Sequence, residues 1–457
     1  MNKINAPFVF FMGIGGIGMS ALARYFLGKG KKVYGYDRTP SMLTNSLENE
    51  GAKILYEDNW VSALEALDPS NCLVIITPAI PPTSKLLIAF ESKGFTRYKR
   101  AEVLGQITRN ERSLGVAGTH GKSTTSTMLA FLLSQTNQGC NAFLGAIATN
   151  FESNYVFSET AEYTVMEADE FDRSFLFLSP LASIVTSVDP DHLDIYGNSE
   201  KFMEGFRQYA MKIDPQGVLV VREGIALSGL CRKVSYALES TTADYVGFNL
   251  KESDYGITFS LKTPTTSYAN ICIGINGEHN AENAVAALAL CAELGIDLES
   301  LIPSFSNFRG IKRRFEMVYK TEHMAFIDDY AHHPTEIRSL IRSVRAMYPG
   351  KRITGIFQPH LFSRTKDFAD GFAEELSKVD HLLLLPIYPA REQPVLGVDS
   401  PWLFSKVRME QKELVSPGDL MSRLRDFNDG VLLTIGAGDI DRLVAPIKEL
   451  LMANDLE

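Results

Sequence analysis

Two glycine-rich turns, each set between an apolar run and a helical pattern, constrain this chain more than any other feature. The first is GIGGIG, Gly13 to Gly18, after FVFFM, and the second is GTHGKST, Gly118 to Thr124, after SLGVA. A turn leading from a buried strand into a helix collects unpaired N–H groups at the positive end of that helix, which favours a bound anion. It also sets the layout, because strands alternating with helices form a parallel sheet whose ligands lie at the carboxyl ends of the strands. The 457 residues allow three domains at about 150 residues each.

Three blocks follow from the alternation of patterns. Residues 1–107 alternate FVFFM, MSALARYFLG, KKVYGYD and CLVIITPAI, as a Rossmann-like domain does. Residues 108–312 carry the second loop, the helix STTSTMLAFLLSQ, and two runs ending in acids, YTVMEADE and LASIVTSVDPDHLDIYG, both read as strands. That block, expected as a parallel sheet of P-loop ATPase type, closes with β-like segments (YGITFSLKT, SYANICIGI) and the helix EHNAENAVAALALCAELG. Residues 313–457 alternate again, as a second Rossmann-like domain: MAFIDDYAHH, RITGIFQPH, HLLLLPIYP and GVLLTIGAGDI with helices between. The fold class is therefore α/β in three domains.

The net charge of −10 argues against a nucleic-acid partner, since phosphate neutralisation needs a basic face. Five scattered cysteines without a C-x-x-C pair read as reduced thiols of a cytoplasmic protein. The apolar start is broken by Gly13, Gly15 and Gly16, which argues against a signal peptide, and no run approaches the length of a membrane span.

Gly13, Gly15 and Gly18 satisfy G-x-G-x-x-G, and Asp37 ends the next strand, placed to accept from a ribose hydroxyl. The pattern points to the diphosphate of a nucleotide without selecting NAD. The second loop lacks the usual first glycine of a P-loop: Val116 stands there, and Gly118 precedes Gly121 by three. Lys122 still suits β- and γ-phosphates, Ser123 or Thr124 suits Mg²⁺, and Thr119 and His120 form the tip.

Acids follow at strand ends: Glu167, Asp169, Glu170 and Asp172 in one run, Asp189, Asp191, His192 and Asp194 in the next. Two such clusters after a phosphate loop point to metal ligation, where a single one reads equally as a solvated turn. His279, Asn280 and Asn283 share one helical turn, serving either an adenine edge or a helix cap around Asn280. In the third block Arg309, Lys312, Arg313 and Arg314, then Asp328, Asp329, Tyr330, His332 and His333, then His360, Arg364 and Lys366 cluster at strand ends, as a site does.

Together these segments resemble the Mur ligase family of ATP-dependent amide-forming enzymes. The motifs MGIGGIGMSALA, GTHGKSTT, EADEFDRSFLFLSP, DPDHLDIYG, GEHNAENAVAA, RRFE, DDYAHHPTE and FQPHLFSRT occur in family order over essentially the whole chain. Within the family they are most similar to the branch joining L-alanine to the lactyl carboxylate of UDP-N-acetylmuramate through an acyl phosphate. The resemblance implies that Lys122 binds ATP phosphates, with Gly118, Thr119, His120, Gly121, Ser123 and Thr124 around it. Ser123 with Glu167 would hold one Mg²⁺ and His192 a second, Mn²⁺ being an alternative ion.

It further implies that His279, Asn280 and Asn283 lie along ATP, reached by Arg314 and Asp329. Gly13, Gly15, Gly16, Ile17, Gly18, Asp37 and His192 would receive the UDP-sugar. Tyr330, His332, His360 and Arg364 would lie near the alanine and muramoyl carboxylates. A monomer or homodimer, with no membrane or nucleic-acid partner, fits the family.

Two positions depart from the pattern: Leu361 stands where many relatives have arginine, and Arg207 where sibling ligases carry a carbamylated lysine. The nearest rival activity attaches a ready-made tripeptide to UDP-N-acetylmuramate in wall recycling; GIGGIGMS and DRSFLFLSP favour the alanine branch. Folylpolyglutamate synthase would not need the first glycine turn. An NAD-dependent dehydrogenase would leave the second loop unexplained, and a nucleotide sensor would not need so many convergent acids.

Overall fold

A computed structural model describes residues 3–190, 193–253, 256–390 and 392–455. The chain forms two compact units, Met1–Ile311 and Lys312–Glu457.

The first unit holds two sheets. One has five parallel strands, β1 (Phe8–Met12), β2 (Lys32–Tyr36), β3 (Lys53–Leu55), β4 (Cys72–Ile76) and β5 (Arg97–Lys99), in the order β3-β2-β1-β4-β5. Central β1 is sheathed on both faces, with Val9, Phe10, Phe11 and Met12 buried, which is why it reads as an unbroken apolar run. The chain builds outward on one side of β1 through β2 and β3, then returns to the other side through β4. That reversal opens a crevice at the carboxyl end of β1, where the first glycine turn lies. The short edge strands β3 and β5 were not expected, because KIL and RYK are half-exposed and carry no apolar run.

The second sheet has ten strands: β6 (Ser113–Ala117), β7 (Cys140–Ala148), β8 (Ser153–Val156), β9 (Tyr163–Ala168), β10 (Ala182–Val185), β11 (Val218–Arg222), β12 (Arg232–Leu238), β13 (Tyr245–Ser253), β14 (Gly256–Lys262) and β15 (Ser267–Ile273). Their order is β15-β14-β13-β12-β11-β10-β6-β9-β7-β8. It is parallel from β7 to β13, and β8 at one edge and β14 and β15 at the other run antiparallel. Buried β6 lies between β9 and β10, so the loop after β6 and both acidic segments emerge side by side. The second acidic run is not strand throughout: it leaves the sheet at Val185, and Leu193–Tyr196 is a short helix. The helices Lys122–Ser134 and Glu278–Glu293 pack together, and the alanines of the second permit close approach.

The second unit has one six-stranded sheet, β16 (Glu316–Lys320), β17 (Met324–Asp329), β18 (Ile353–Phe357), β19 (His381–Leu384), β20 (Lys412–Leu414) and β21 (Gly430–Ile435). The order is β16-β17-β21-β18-β19-β20, and only β16 is antiparallel. The expected α/β class with three sheet-based domains is the fold of the chain. Cys72, Cys140, Cys231 and Cys291 are buried, Cys272 is half-buried, and all five are free thiols.

Candidate active site

The second glycine loop is braced from β10. Thr119 N and His120 N donate to Ser187 O (3.3 Å) and Ser187 Oγ (2.8 Å), while Thr119 Oγ1 donates to Asp189 O (2.7 Å). Gly118 (φ +139°) and Gly121 (φ +80°) take conformations that side chains resist. A Cβ on Gly118 would also run into the Thr186 hydroxyl, and one on Gly121 would stand 2.8 Å from Asn283 Oδ1. Backbone and neighbours alike therefore demand glycine at both positions.

Lys122 is folded back beneath the loop. Its ammonium donates to Gly118 O (2.6 Å) and Glu170 Oε1 (3.0 Å) and lies 2.8 Å from Glu170 Oε2. Burial opposes charge on Lys122, but Glu170, Glu167 and Asp169 together hold its pKa above the ordinary lysine value. Burial likewise pushes the Glu170 carboxyl up, against the pull of Lys122. Ser123 Oγ donates to Glu167 Oε2 at 2.8 Å. Gly145 makes room for that carboxylate, since a Cβ there would collide with it. A hydroxyl and a carboxylate side by side are the hard oxygen donors that Mg²⁺ prefers alongside waters and substrate phosphates.

The first acidic segment does not converge on one point. Glu167 goes to Ser123, Glu170 to Lys122, and Asp172 to Lys99 (3.0 Å), while Asp169 sits 3.9 Å from Arg100. No group of three metal-ligating side chains occurs among the described residues. Asp191 and His192 lie outside the described residues. His120 approaches Asp189 at 3.8 Å. Asn280 does not cap its helix with its oxygen; its amide donates to Asn276 O (2.6 Å), and the cap position is Gly277. Exposed His279 occupies the first turn of that helix, and Thr124 is half-buried in the helix after the loop.

At the first glycine turn, Asp37 Oδ2 accepts from Gly15 N at 2.7 Å, and Oδ1 accepts from Arg38 N at 2.8 Å. The helix Ile17–Gly28 starts at Gly16 without a side-chain cap, leaving its first amides open. A cleft of about 710 Å³ is lined by Thr77, Ile80, Leu87, Lys99, Phe171 and Asp172, of which Thr77 and Ile80 also stand against Gly13. Buried Arg24 of the same helix is fully engaged, by Glu50, Ser46 and Asn154 of β8. Arg100, absent from the sequence reading, lies against Gly18. Its KRAEV context follows a three-residue edge strand and carries no motif signal.

The second unit gathers its own cluster at the carboxyl ends of β17 and β18. Asp329 accepts from Phe315 N and Ala331 N, both at 2.7 Å, and burial pushes its carboxyl up to about 6. His332 Nδ1 lies 3.0 Å from Tyr330 O and 3.4 Å from Glu336, and burial lowers its pKa. Burial, then Arg364 and His332, push His360 down to about 4, and Arg364 Nη1 meets His360 Nδ1 at 3.3 Å. Tyr330 is partly exposed under the cation of Arg313, which also pairs with Asp328. Arg314 is exposed. Leu361 adopts φ +71°, a strained value for a branched residue. Arg207 is exposed and pairs with Glu204 on its own helix at 3.4 Å.

Three family models match in order: "Mur ligase family, catalytic domain" over residues 9–112, "Mur ligase middle domain" over 116–291, and "Mur ligase, glutamate ligase domain" over 313–438. The chain is 48% identical to a UDP-N-acetylmuramate–L-alanine ligase of Parabacteroides distasonis, covering 99% of this chain and 98% of the relative. A ligase of the same name from Porphyromonas gingivalis is 46% identical, with 97% and 98% covered. The crystal structure of UDP-N-acetylmuramate-alanine ligase from Thermotoga maritima superposes with a TM-score of 0.82 at 26% identity, over 98% of this chain and 99% of that one. A murein peptide ligase from Psychrobacter arcticus shares the fold, with a TM-score of 0.72 at 20% identity and 98% of each chain covered. With these matches running from the first glycine turn to the last sheet, the chain belongs to the Mur ligase family.

Proposed function

We propose that the protein is an ATP-dependent ligase that joins L-alanine to the lactyl carboxylate of UDP-N-acetylmuramate, releasing ADP and phosphate. The observation that carries this reading is the pairing of two anion cradles within one compact unit. Gly18, Arg100, Asp169, Glu170 and Lys122 form a chain of neighbours between the cradles. Near full-length similarity to L-alanine ligases supports this activity over tripeptide attachment.

A carboxylate does not acylate an amine directly, because its oxygen is a poor leaving group. In this reading a carboxylate oxygen attacks the γ-phosphorus of ATP and the bridge to ADP breaks, which leaves an acyl phosphate. Lys122 supplies fixed positive charge where the transferred group gathers negative charge, which is positioning and electrostatic work. The lone pair of the alanine amine then attacks the acyl carbon, the carbon–oxygen bond to phosphate breaks, and nitrogen gives up a proton. Ser123 and Glu167 would hold Mg²⁺, which when bound supplies charge neutralisation on the phosphates. His192 is the proposed ligand of a second ion.

Gly118 to Thr124, His279, Asn280 and Asn283 are assigned to ATP, with Arg314 and Asp329 of the second unit. Gly13, Gly15, Gly16, Ile17, Gly18, Asp37 and His192 are assigned to the UDP-sugar. Tyr330, His332, His360 and Arg364 are assigned to the carboxylate-bearing substrates, with both imidazoles neutral near pH 7. No helix among the described residues is long and apolar enough to cross a membrane; the cytoplasmic location is proposed from the two nucleotide substrates of this reading.

The test is phosphate release from ATP with Mg²⁺ and UDP-N-acetylmuramate, with L-alanine or the recycling tripeptide in parallel. Release that needs L-alanine, with a product heavier by one alanyl residue, is expected. Release with the tripeptide alone would move the protein to the recycling activity.

A further inference from the structure

Gly18 lies in the first turn of the helix Ile17–Gly28, and the space its missing side chain leaves is taken by Arg100. A Cβ at Gly18 would stand 3.0 Å from Arg100 Nη1 and 3.1 Å from its Cδ and Cζ. The guanidinium thus lies against the amino end of a helix, where the dipole is positive and a cation is disfavoured. Little in the protein offsets this. The Arg100 guanidinium makes no hydrogen bond among the described residues, and its one carboxylate neighbour, Asp169, is 3.9 Å away. Its side chain keeps 27% of its surface exposed. Arg24, on the same helix, shows the opposite condition: its guanidinium is consumed by a two-oxygen contact with Glu50 and by Ser46 and Asn154.

Open helix amides and an unsatisfied guanidinium, facing each other where one side chain is lacking, form two halves of an anion clasp. We propose that Arg100 is a binding residue for the diphosphate of the sugar nucleotide, closing on it from the side opposite the helix amides. This rests on the reading of Gly13–Gly18 as the UDP cradle. The planar fork of arginine can hold two phosphate oxygens at once, which a lysine at this position would not do. Binding exchanges the long contact with Asp169 for short contacts with phosphate. Asp169 is thereby released next to Glu170, the partner of Lys122, so the guanidinium stands between the two cradles.

The test is titration calorimetry on the full-length protein with UDP and with uridine, for wild type, Arg100→Met and Arg100→Lys. Arg100→Met should weaken UDP about tenfold or more, the scale of a lost charge-assisted contact. Uridine, which has no phosphate, should bind the variant as it binds wild type, and KM for ATP should be unchanged. Arg100→Lys should recover part of the loss. Equal weakening of UDP and uridine, or UDP affinity unchanged in Arg100→Met, would overturn the proposal. Wild type that fails to bind UDP would instead overturn the cradle reading itself.

Discussion

The two glycine turns of the first unit solve one electrostatic problem in different ways. Both follow a buried parallel strand and both open onto a helix amino terminus. The loop after β6 carries its own cation: Lys122 is the first residue of its helix, buried beneath the loop and neutralised by Glu170. The turn after β1 contains no cation, and its positive charge arrives from Arg100, more than eighty residues later at the end of β5. A built-in lysine can be read from the local sequence. A cation delivered by the sheet order cannot, because only folding puts the carboxyl end of β5 on the same edge of the sheet as that of β1, with β4 between them. The difference also separates their tasks: the loop with the internal lysine suits a group that moves, and the turn with open amides suits a diphosphate that stays put.

The strongest test of that division is Lys122→Ala. It should lower turnover by about a hundredfold to a thousandfold, the scale for removing a group that stabilises transition-state charge. UDP affinity measured by calorimetry should be unaffected. Loss of both would mean that the two cradles are not separable.

A smaller effect is expected from Gly15→Ala. The added methyl would stand 2.8 Å from Asp37 Oδ2 and break the bond from Gly15 N. KM for UDP-N-acetylmuramate should rise about tenfold, as for one lost hydrogen bond to a charged group, with KM for ATP unchanged. An equal rise in both constants would erase the contrast between the turns.

The smallest effect extends the comparison to the second unit, whose cluster keeps two imidazoles with depressed pKa values near Arg364. His360 is held near 4, below the ordinary histidine value, so its contribution to stability is present above about pH 6.5 and lost as pH falls through 4. His360→Gln should melt closer to wild type, or above it, as pH is lowered across that window. The relative gain should be about 1–2 kcal/mol once solvent screening is allowed for. A difference in melting temperature that is flat from pH 7 to 4 would show that the imidazole is not held neutral.

Much of the fold was legible because its strands are buried on both faces. FVFFM, SLGVA, CLVII and GVLLTI are apolar runs bounded by glycine or polar residues, and each is a central strand. KIL and RYK escaped because a three-residue edge strand is held by one neighbour and needs no apolar pattern. The acids of MEADEFD were legible as a cluster, but their division was not. Asp172 and Arg173 adopt positive φ, the segment turns sharply, and its carboxylates reach Ser123, Lys122 and Lys99 separately. Asn280 and Asn283 looked equivalent on one helical turn. In the structure Asn280 is tied to Asn276, and Asn283 lies against the second loop at Gly121.

The sequence by itself determined the alternation of strands and helices, the two turns that need glycine, the lysine and hydroxyl of the second loop, and the family. Each of these is local, set by side-chain period, backbone freedom or adjacency along the chain. Tertiary structure alone decided which acid meets which base, that Glu170 holds Lys122, and that Arg100 fills the space left by Gly18. Those pairings span between about forty and eighty residues of chain, and they exist only because the sheet order brings the strand ends together.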